Sequence, residues 1–326
     1  MPGGLNGVPC LVLGGGGFLG RALIGALQRE GAQVRGFGRL SRFEAPETSH
    51  PWIHADFADQ MAVARAVEGM EIVFHLAAGS TPERSNSAPI SDLEASVAGT
   101  IRLLELCSAA GVRRIVFASS GGAVYGIPEE LPIRETAPTR PISAYGANKV
   151  AVENYLFLHN YLYGLEHVIL RISNPFGPYQ DPLGRQGLIA ATLLKLLMGE
   201  PTDIWGDGSV TRDYVFVDDV AGAFVKAAAY TGKHTIFNIG SGVGMTVDEV
   251  IDAAVQAMGV KHPGKIYRPG RKADVPVNIL DVRRAHSDLC WSAETHWTEA
   301  ISRTVAWMER EPTVRALLKR GQNARA

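Results

Sequence analysis

Short apolar runs alternate with longer stretches whose apolar residues recur at helical spacing, and this alternation restricts what the chain can fold into more than any other feature. Residues 10–13, 33–37, 72–76, 115–118 and 167–172 read as buried strands, with 18–30, 61–67, 95–110 and 145–163 as the helices between them. Strands apolar on both faces need a covering layer on each side, and a strand–helix–strand order gives parallel pairing. The pattern predicts an α/β fold, a doubly wound parallel sheet. After Arg171 the rhythm changes: loops at 174–187 and 206–213 interrupt two helices, and 235–239 reads as a strand returning to the sheet. The expected division is a larger domain over 1–172 with 214–240 returning to it, a smaller discontinuous domain from 173–213 and 241–310, and a basic, solvated tail over 311–326.

A chain of 326 residues exceeds what one core usually serves, which agrees with two domains. Its 32 basic and 33 acidic residues nearly cancel, so no global field draws it to nucleic acid or a membrane surface, and an anionic ligand must be held locally. Cys10, Cys107 and Cys290 lie far apart without metal-ligand spacing, so no metal is expected and a reducing cytoplasm suits them. The N-terminus lacks a basic stretch, and glycines break the apolar run after Leu13. Neither a signal peptide nor a membrane span is expected.

Gly14-Gly15-Gly16-Gly17-Phe18-Leu19-Gly20 follows the first strand and opens the first helix. Glycines at 14, 17 and 20 let backbone approach a diphosphate, while the helix N-terminus offers free N–H groups; Phe18 and Leu19 are placed with them at the cofactor. This marks a Rossmann-type dinucleotide-binding domain, leaving the smaller domain for substrate. NAD-selective folds usually close the second strand with an acid that accepts hydrogen bonds from the ribose. Here Gly36-Phe37-Gly38-Arg39-Leu40-Ser41-Arg42 has none. Gly38, Arg39 and Arg42 leave room and charge for a 2′-phosphate, so NADP is a candidate beside NAD.

Tyr145 and Lys149 are four apart at the start of a long helix and share one face. Tyrosine titrates near pH 10, so a phenolate at neutral pH needs roughly 4 kcal/mol of help, of the size an ammonium and a nicotinamide cation give in a dry cleft. Lys149 is thereby expected to set the acidity of Tyr145. The strand over 115–118 runs into Ser119-Ser120-Gly121-Gly122, where open α/β sheets bind ligands; Ser120 is the expected second hydrogen bond to the reacting oxygen.

In this order the motifs resemble the extended short-chain dehydrogenase/reductase family, and within it the UDP-glucose 4-epimerase-like, NAD-dependent epimerase/dehydratase branch. Asp56-Phe57, His75-Leu76-Ala77-Ala78, Arg171-Ile172-Ser173-Asn174-Pro175-Phe176-Gly177-Pro178, Gly206-Asp207-Gly208, Arg212-Asp213-Tyr214 and Val217-Asp218-Asp219-Val220 extend the match from Cys10 to about Trp307. The resemblance implies that Asp56 and Phe57 meet the adenine and that Leu76, Ala77 and Ala78 line the nicotinamide side. Asn174, Arg212 and Arg271, the last from Arg271-Lys272-Ala273-Asp274-Val275-Pro276, would hold a sugar nucleotide's diphosphate. It further implies that Asn278 gates sugar size, that His75 is structural, and that a homodimer forms through the helices beginning near Ala95 and Tyr145. Leu13, Ser96 and Gly38 depart from the family pattern; the last leaves cofactor identity open.

Dehydratases of this family carry Thr-Asp-Glu after the strand, whereas Gly121 and Gly122 cannot donate or accept a proton, so hydride exchange at one carbon is expected. The expected activity is 4-epimerisation of a UDP-hexose through a 4-keto sugar, with Asn278 small enough for a 2-acetamido group. An NADPH-dependent 4-ketoreductase of a nucleotide-diphosphate 4-keto-6-deoxy sugar is the alternative. A non-catalytic dinucleotide-binding regulator would show a damaged Ser/Tyr/Lys set, and this one is intact.

Overall fold

A computed structural model describes residues 4–39, 43, 50–77, 82–184, 187–270 and 275–323, with side chains through 319. In its first half, β1 (Pro9–Leu13), α1 (Phe18–Arg29), β2 (Gln33–Phe37), β3 (Trp52–Ile53), α2 (Gln60–Val67) and β4 (Ile72–His75) come first. Two short helices, α3 (Pro82–Ser87) and α4 (Pro89–Leu93), then lead through a π turn at Glu94–Ala98 into α5 (Gly99–Ala109). β5 (Arg114–Ser120), α6 (Ala144–Tyr163) and β6 (Glu166–Ile172) follow. Every expected strand and helix is present, displaced by at most two residues at an end when the π turn at Glu94–Ala98 is counted with α5. The sequence reading assigned no helix to 82–93; prolines at both starts fix φ for a first helical turn, which is what lets so polar a segment wind.

The second half contains β7 (Asn174–Phe176), α7 (Leu188–Met198), β8 (Thr202–Trp205), β9 (Thr211–Phe216), α8 (Val217–Ala229) and β10 (Ile236–Ile239). Beyond these lie β11 (Gly244–Thr246), α9 (Val247–Met258), β12 (Lys265–Arg268), β13 (Val277–Asn278), α10 (Arg283–Leu289), α11 (Trp297–Arg310) and α12 (Pro312–Asn323). The main sheet runs β10-β6-β5-β4-β1-β2-β3, all parallel. Alternate residues serve opposite cores: Cys10 and Val12 of β1 pack on the side of α1 and α8, Leu11 and Leu13 on the side of α2, α5 and α6. Because crossovers lie on both faces, the sheet is buried on both, and the strand ends carrying Leu13, His75 and Ser120 meet at one edge.

Smaller ladders, β11-β9-β13 with β7 on β9 and β12 on β8, sit over that edge. Their core holds Phe176, Leu193, Phe216, Val250, Ile301 and Met308. The tail differs from its expectation: Val314 is 1% exposed in this core and Leu318 packs against it. Their spacing of four stacks them on one face of α12, so this stretch is anchored instead of frayed. Cys10 and Cys107 are buried, which pushes both thiols up to about 12, and Cys290 is exposed; all three are free. Among the described residues no helix is long and apolar enough to cross a membrane, and no acid, His or Cys cluster could hold a metal.

Candidate active site

The glycine loop is shaped by what its backbone must touch. Gly14 has φ +86°, and a Cβ there would lie 3.0 Å from the backbone N of Ala77. A Cβ on Gly20 would lie 2.3 Å from the Gly14 carbonyl oxygen, so this glycine serves helix-to-loop packing. Gly17 sits at the N-cap of α1 with no side-chain cap, which leaves the first helical N–H groups to a ligand. Gly14, Gly17, Gly38, Arg39, Asp56, Phe57, Leu76 and Ala77 line one groove of about 530 Å³. Such a cradle, which added side chains would fill, fits the backbone approach to a dinucleotide diphosphate. At its far end Gly38 has φ +149°, and the Arg39 guanidinium lies 3.7 Å from the Asp56 carboxylate, both largely exposed. Phe18 and Leu19 border the second cleft instead, because the helix turns that face away from the loop. Arg42, Ala78 and Arg271 lie outside the described residues.

Ser120 ends β5 and Tyr145 lies in the first turn of α6. Gly146 brings them together: a Cβ there would be 2.5 Å from the Ala123 carbonyl oxygen, so only glycine lets the helix lean on the turn after β5. Ser143 caps α6 by accepting from the Gly146 N–H, and Asn86 accepts from Ala144. Tyr145 then hydrogen-bonds Ser120, whereas Ser119 points away and donates to Glu153 at 2.5 Å. Lys149 donates to the Ala118 carbonyl at 2.8 Å, with its ammonium 4.5 Å from the Phe117 ring centre and 5.6 Å from that of Tyr145.

The electrostatics correct one expectation. Burial pushes the Tyr145 phenol up to about 12; Ser120 lowers it, and Asp92 raises it further. Burial pushes the Lys149 ammonium down to about 8, opposed by Glu153 and Asp92. Desolvation therefore sets the direction of both shifts, and the chain alone does not hold a phenolate at neutral pH. His75 is buried between the Phe57 and Phe117 rings, shares a hydrogen bond with Thr100, and is pushed down to about 3 by burial, so it stays neutral. Beneath this corner Arg171 pairs with Glu153 at 2.6 Å and donates to Tyr125 Oη, which donates to Asn238.

A second cleft, of about 800 Å³, is bordered by Ser120, Gly122, Tyr145, Asn174, Trp205 and Arg212. Asn174 donates to the Asp213 carbonyl and Arg212 to that of Thr211, so β7 and β9 place both on the same wall. Buried Asp213 accepts from the Ser241, Gly242 and Leu280 backbone N–H groups and ties two loops under that wall. Asn278 is not on it. The side chain is 1% exposed and donates to the Gly121 carbonyl, because β13 pairs with β9 and turns position 278 behind the turn after β5. A Cβ on Gly121 would strike Leu280 and lie 3.0 Å from the Arg171 carbonyl, while one on Gly122 would make an ordinary contact with the Ser120 hydroxyl at 3.9 Å. Sequence reasoning missed Gln180, Thr192 and Thr202, which border this cleft with buried polar atoms lacking a protein partner. Buried polar atoms without a partner are uncommon in folded proteins, which sets this wall apart. Nothing in their spacing announces it.

The model of the NAD dependent epimerase/dehydratase family matches residues 10–240. The chain belongs to that family. A UDP-glucose 4-epimerase of Mycolicibacterium smegmatis is 39% identical over 303 residues, which cover 90% of this chain and 96% of that protein. The crystal structure of a Thermotoga maritima UDP-glucose 4-epimerase with UDP-glucose aligns with a TM-score of 0.87 at 34% identity, over 92% of this chain and 98% of its own. A Thermus thermophilus UDP-glucose 4-epimerase in complex with NAD aligns with a TM-score of 0.84 at 35% identity, over 91% and 98%.

Proposed function

We propose that the protein is a nucleotide-sugar 4-epimerase that inverts C4 of a UDP-hexose through a transient 4-keto sugar. The observation that carries this reading is the position of Tyr145. It borders the diphosphate cleft on one side and, on the other, a small cavity whose wall includes Ala77 of the dinucleotide groove. Gly14, Gly17, Asp56 and Ala77 of the 1–172 domain would hold NAD, which when bound would supply a hydride acceptor and a positive charge. Tyr145 takes the C4 hydroxyl proton and gives it back to the same oxygen as the turned 4-keto sugar recovers its hydride on the opposite face of C4, while Ser120 hydrogen-bonds that oxygen. Lys149 is the fixed cation that steadies the phenolate. Asn174 and Arg212 grip the diphosphate, so the sugar can turn without leaving. Gly121 and Gly122 offer no second acid or base, which restricts the chemistry to one carbon.

The expected substrates are UDP-Glc/UDP-Gal and UDP-GlcNAc/UDP-GalNAc, with Asn278 acting on the sugar only through Gly121. A second reading, an NADPH-dependent 4-ketoreductase, is favoured by the ribose end of the groove, where Gly38 at φ +149° disfavours any side chain and Arg39 supplies the charge. A homodimer fits the exposed apolar residues of α6, among them Phe157 and Tyr161. The purified protein is incubated with each UDP-sugar without added cofactor, and the anomeric protons are followed by NMR. A new C4 epimer is the expected result. Turnover only with NADPH and a 4-keto sugar establishes the reductase and ends the epimerase reading.

A further inference from the structure

Segment 82–93 is bolted to the catalytic helix by one buried carboxylate. Asp92, 6% exposed on α4, accepts from the Ser85 hydroxyl at 2.5 Å and from the Asn148 amide at 2.8 Å. Asn148 is the neighbour of Lys149, and α3 and α4 both pack on α6. Asp92, Asn148, Lys149 and Tyr145 also border a common cavity of about 10 Å³, room for a single water. Asp92 lines the dinucleotide groove as well, so it stands between cofactor and chemistry.

We propose that Asp92 is a positioning residue for the proposed epimerisation, its negative charge keeping Lys149 an ammonium and Tyr145 a neutral phenol until positive charge enters beside them. Among the described groups facing this corner, Asp92 is the anion that acts on both side chains. On α6 Glu153 raises Lys149 more than Asp92 does, but it is paired with Arg171 of β6, accepts from Ser119 of β5 and does not act on Tyr145. On β4 His75 is neutral. From β5 and α5 come Ser120, the Ala118 carbonyl, the Phe117 ring and Thr100, none of them charged. A buried ammonium loses its proton unless an anion accompanies it, and burial brings Lys149 down to about 8 even with the Glu153 and Asp92 charges opposing it. The same anion opposes a premature phenolate. Its consequence is a corner that ionises in step with cofactor binding.

The sign follows from the charge: a carboxylate raises the pKa of an ammonium and of a phenol alike, so removing it lowers both. This rests on the proposed reaction, in which phenolate formation limits kcat/KM on the acid side and loss of the ammonium limits it on the alkaline side. Asp92→Asn keeps the shape and removes the charge; both limbs of the kcat/KM profile are expected to move to lower pH, by about one unit. Asp92→Ser, smaller and neutral, is expected to move both limbs the same way and decides the matter if the first variant does not fold, and Asp92→Glu, which keeps the charge, is expected to leave both limbs in place. Ultraviolet titration, with Tyr145→Phe subtracted, is expected to show the Tyr145 phenolate at lower pH in Asp92→Asn. Unmoved limbs and an unmoved phenolate band in the folded variants overturn the assignment. Absence of turnover in the wild type would instead end the epimerase reading, with the ultraviolet titration still deciding the role of Asp92.

Discussion

The dinucleotide groove and the catalytic corner share a wall but are made of different material. The groove is backbone: Gly14 at φ +86° and Gly38 at φ +149° hold conformations that side chains resist, and Gly20 must be bare to pack on the loop. The corner is side chains, with Tyr145 and Lys149 from α6 and Asp92 from α4 around a cavity the size of a water and Ser120 from β5 on the cleft side of Tyr145. A backbone-made site loses affinity when its glycines are substituted yet carries little chemistry. A side-chain site keeps its shape when one functional group is removed and loses the reaction.

The sharpest test of that contrast is Tyr145→Phe. Removing one oxygen from the corner should cut kcat about 10³-fold, the worth of a positioned acid–base group, while dinucleotide affinity stays as it was. Steady-state kinetics with a parallel binding titration reads both; comparable losses in the two would merge the groove and the corner into one unit.

Below the corner lies a charged network, and its loss should appear as stability. Glu153→Gln leaves the Arg171 guanidinium buried without its carboxylate, and breaking such a pair costs about 3 kcal/mol. Urea unfolding should show a lower midpoint of that size with an unchanged slope. A midpoint within experimental error of the wild type would mean that Tyr125 and Ser119 suffice to hold the strand ends.

The two regions also differ in how far the sequence announced them. Glycines at 14, 17 and 20 and the four-residue spacing of Tyr145 and Lys149 are local patterns, and local patterns survive in one dimension. Strand limits were equally plain, since a sheet covered on both faces needs uninterrupted apolar runs. Asp92 and Asn148 are 56 residues apart and meet only because two proline-started helices wind in a polar stretch that reads as loop. Asn278 illustrates the converse error: its position along the chain matched a pattern, but pairing of β13 on β9 sends its side chain behind the cleft. The direction of the Tyr145 shift depends on burial, which spacing does not report.

Gly14→Ala probes the groove alone. The added methyl meets the backbone of Leu76 and Ala77 at 3.0 Å and must sit at a positive φ, a strain of about 1–2 kcal/mol. Dinucleotide affinity should fall about tenfold, while kcat at saturating cofactor changes little; an unaltered affinity would show that the loop can shift aside.

The smallest effect concerns a region that neither touches. Val314 fills the core of the smaller lobe from α12, beside α7, whose residues border the substrate cleft. Val314→Ala removes two buried methyl-sized groups, worth about 1 kcal/mol, and in a chain of this size should lower the melting temperature on the order of 2 °C. If α12 only decorates the lobe, the UDP-sugar KM stays fixed while the melting temperature falls. A rise in KM without loss of kcat would show that this last helix steadies α7 against the nucleotide, extending the substrate site to a segment the sequence presented as a solvated tail.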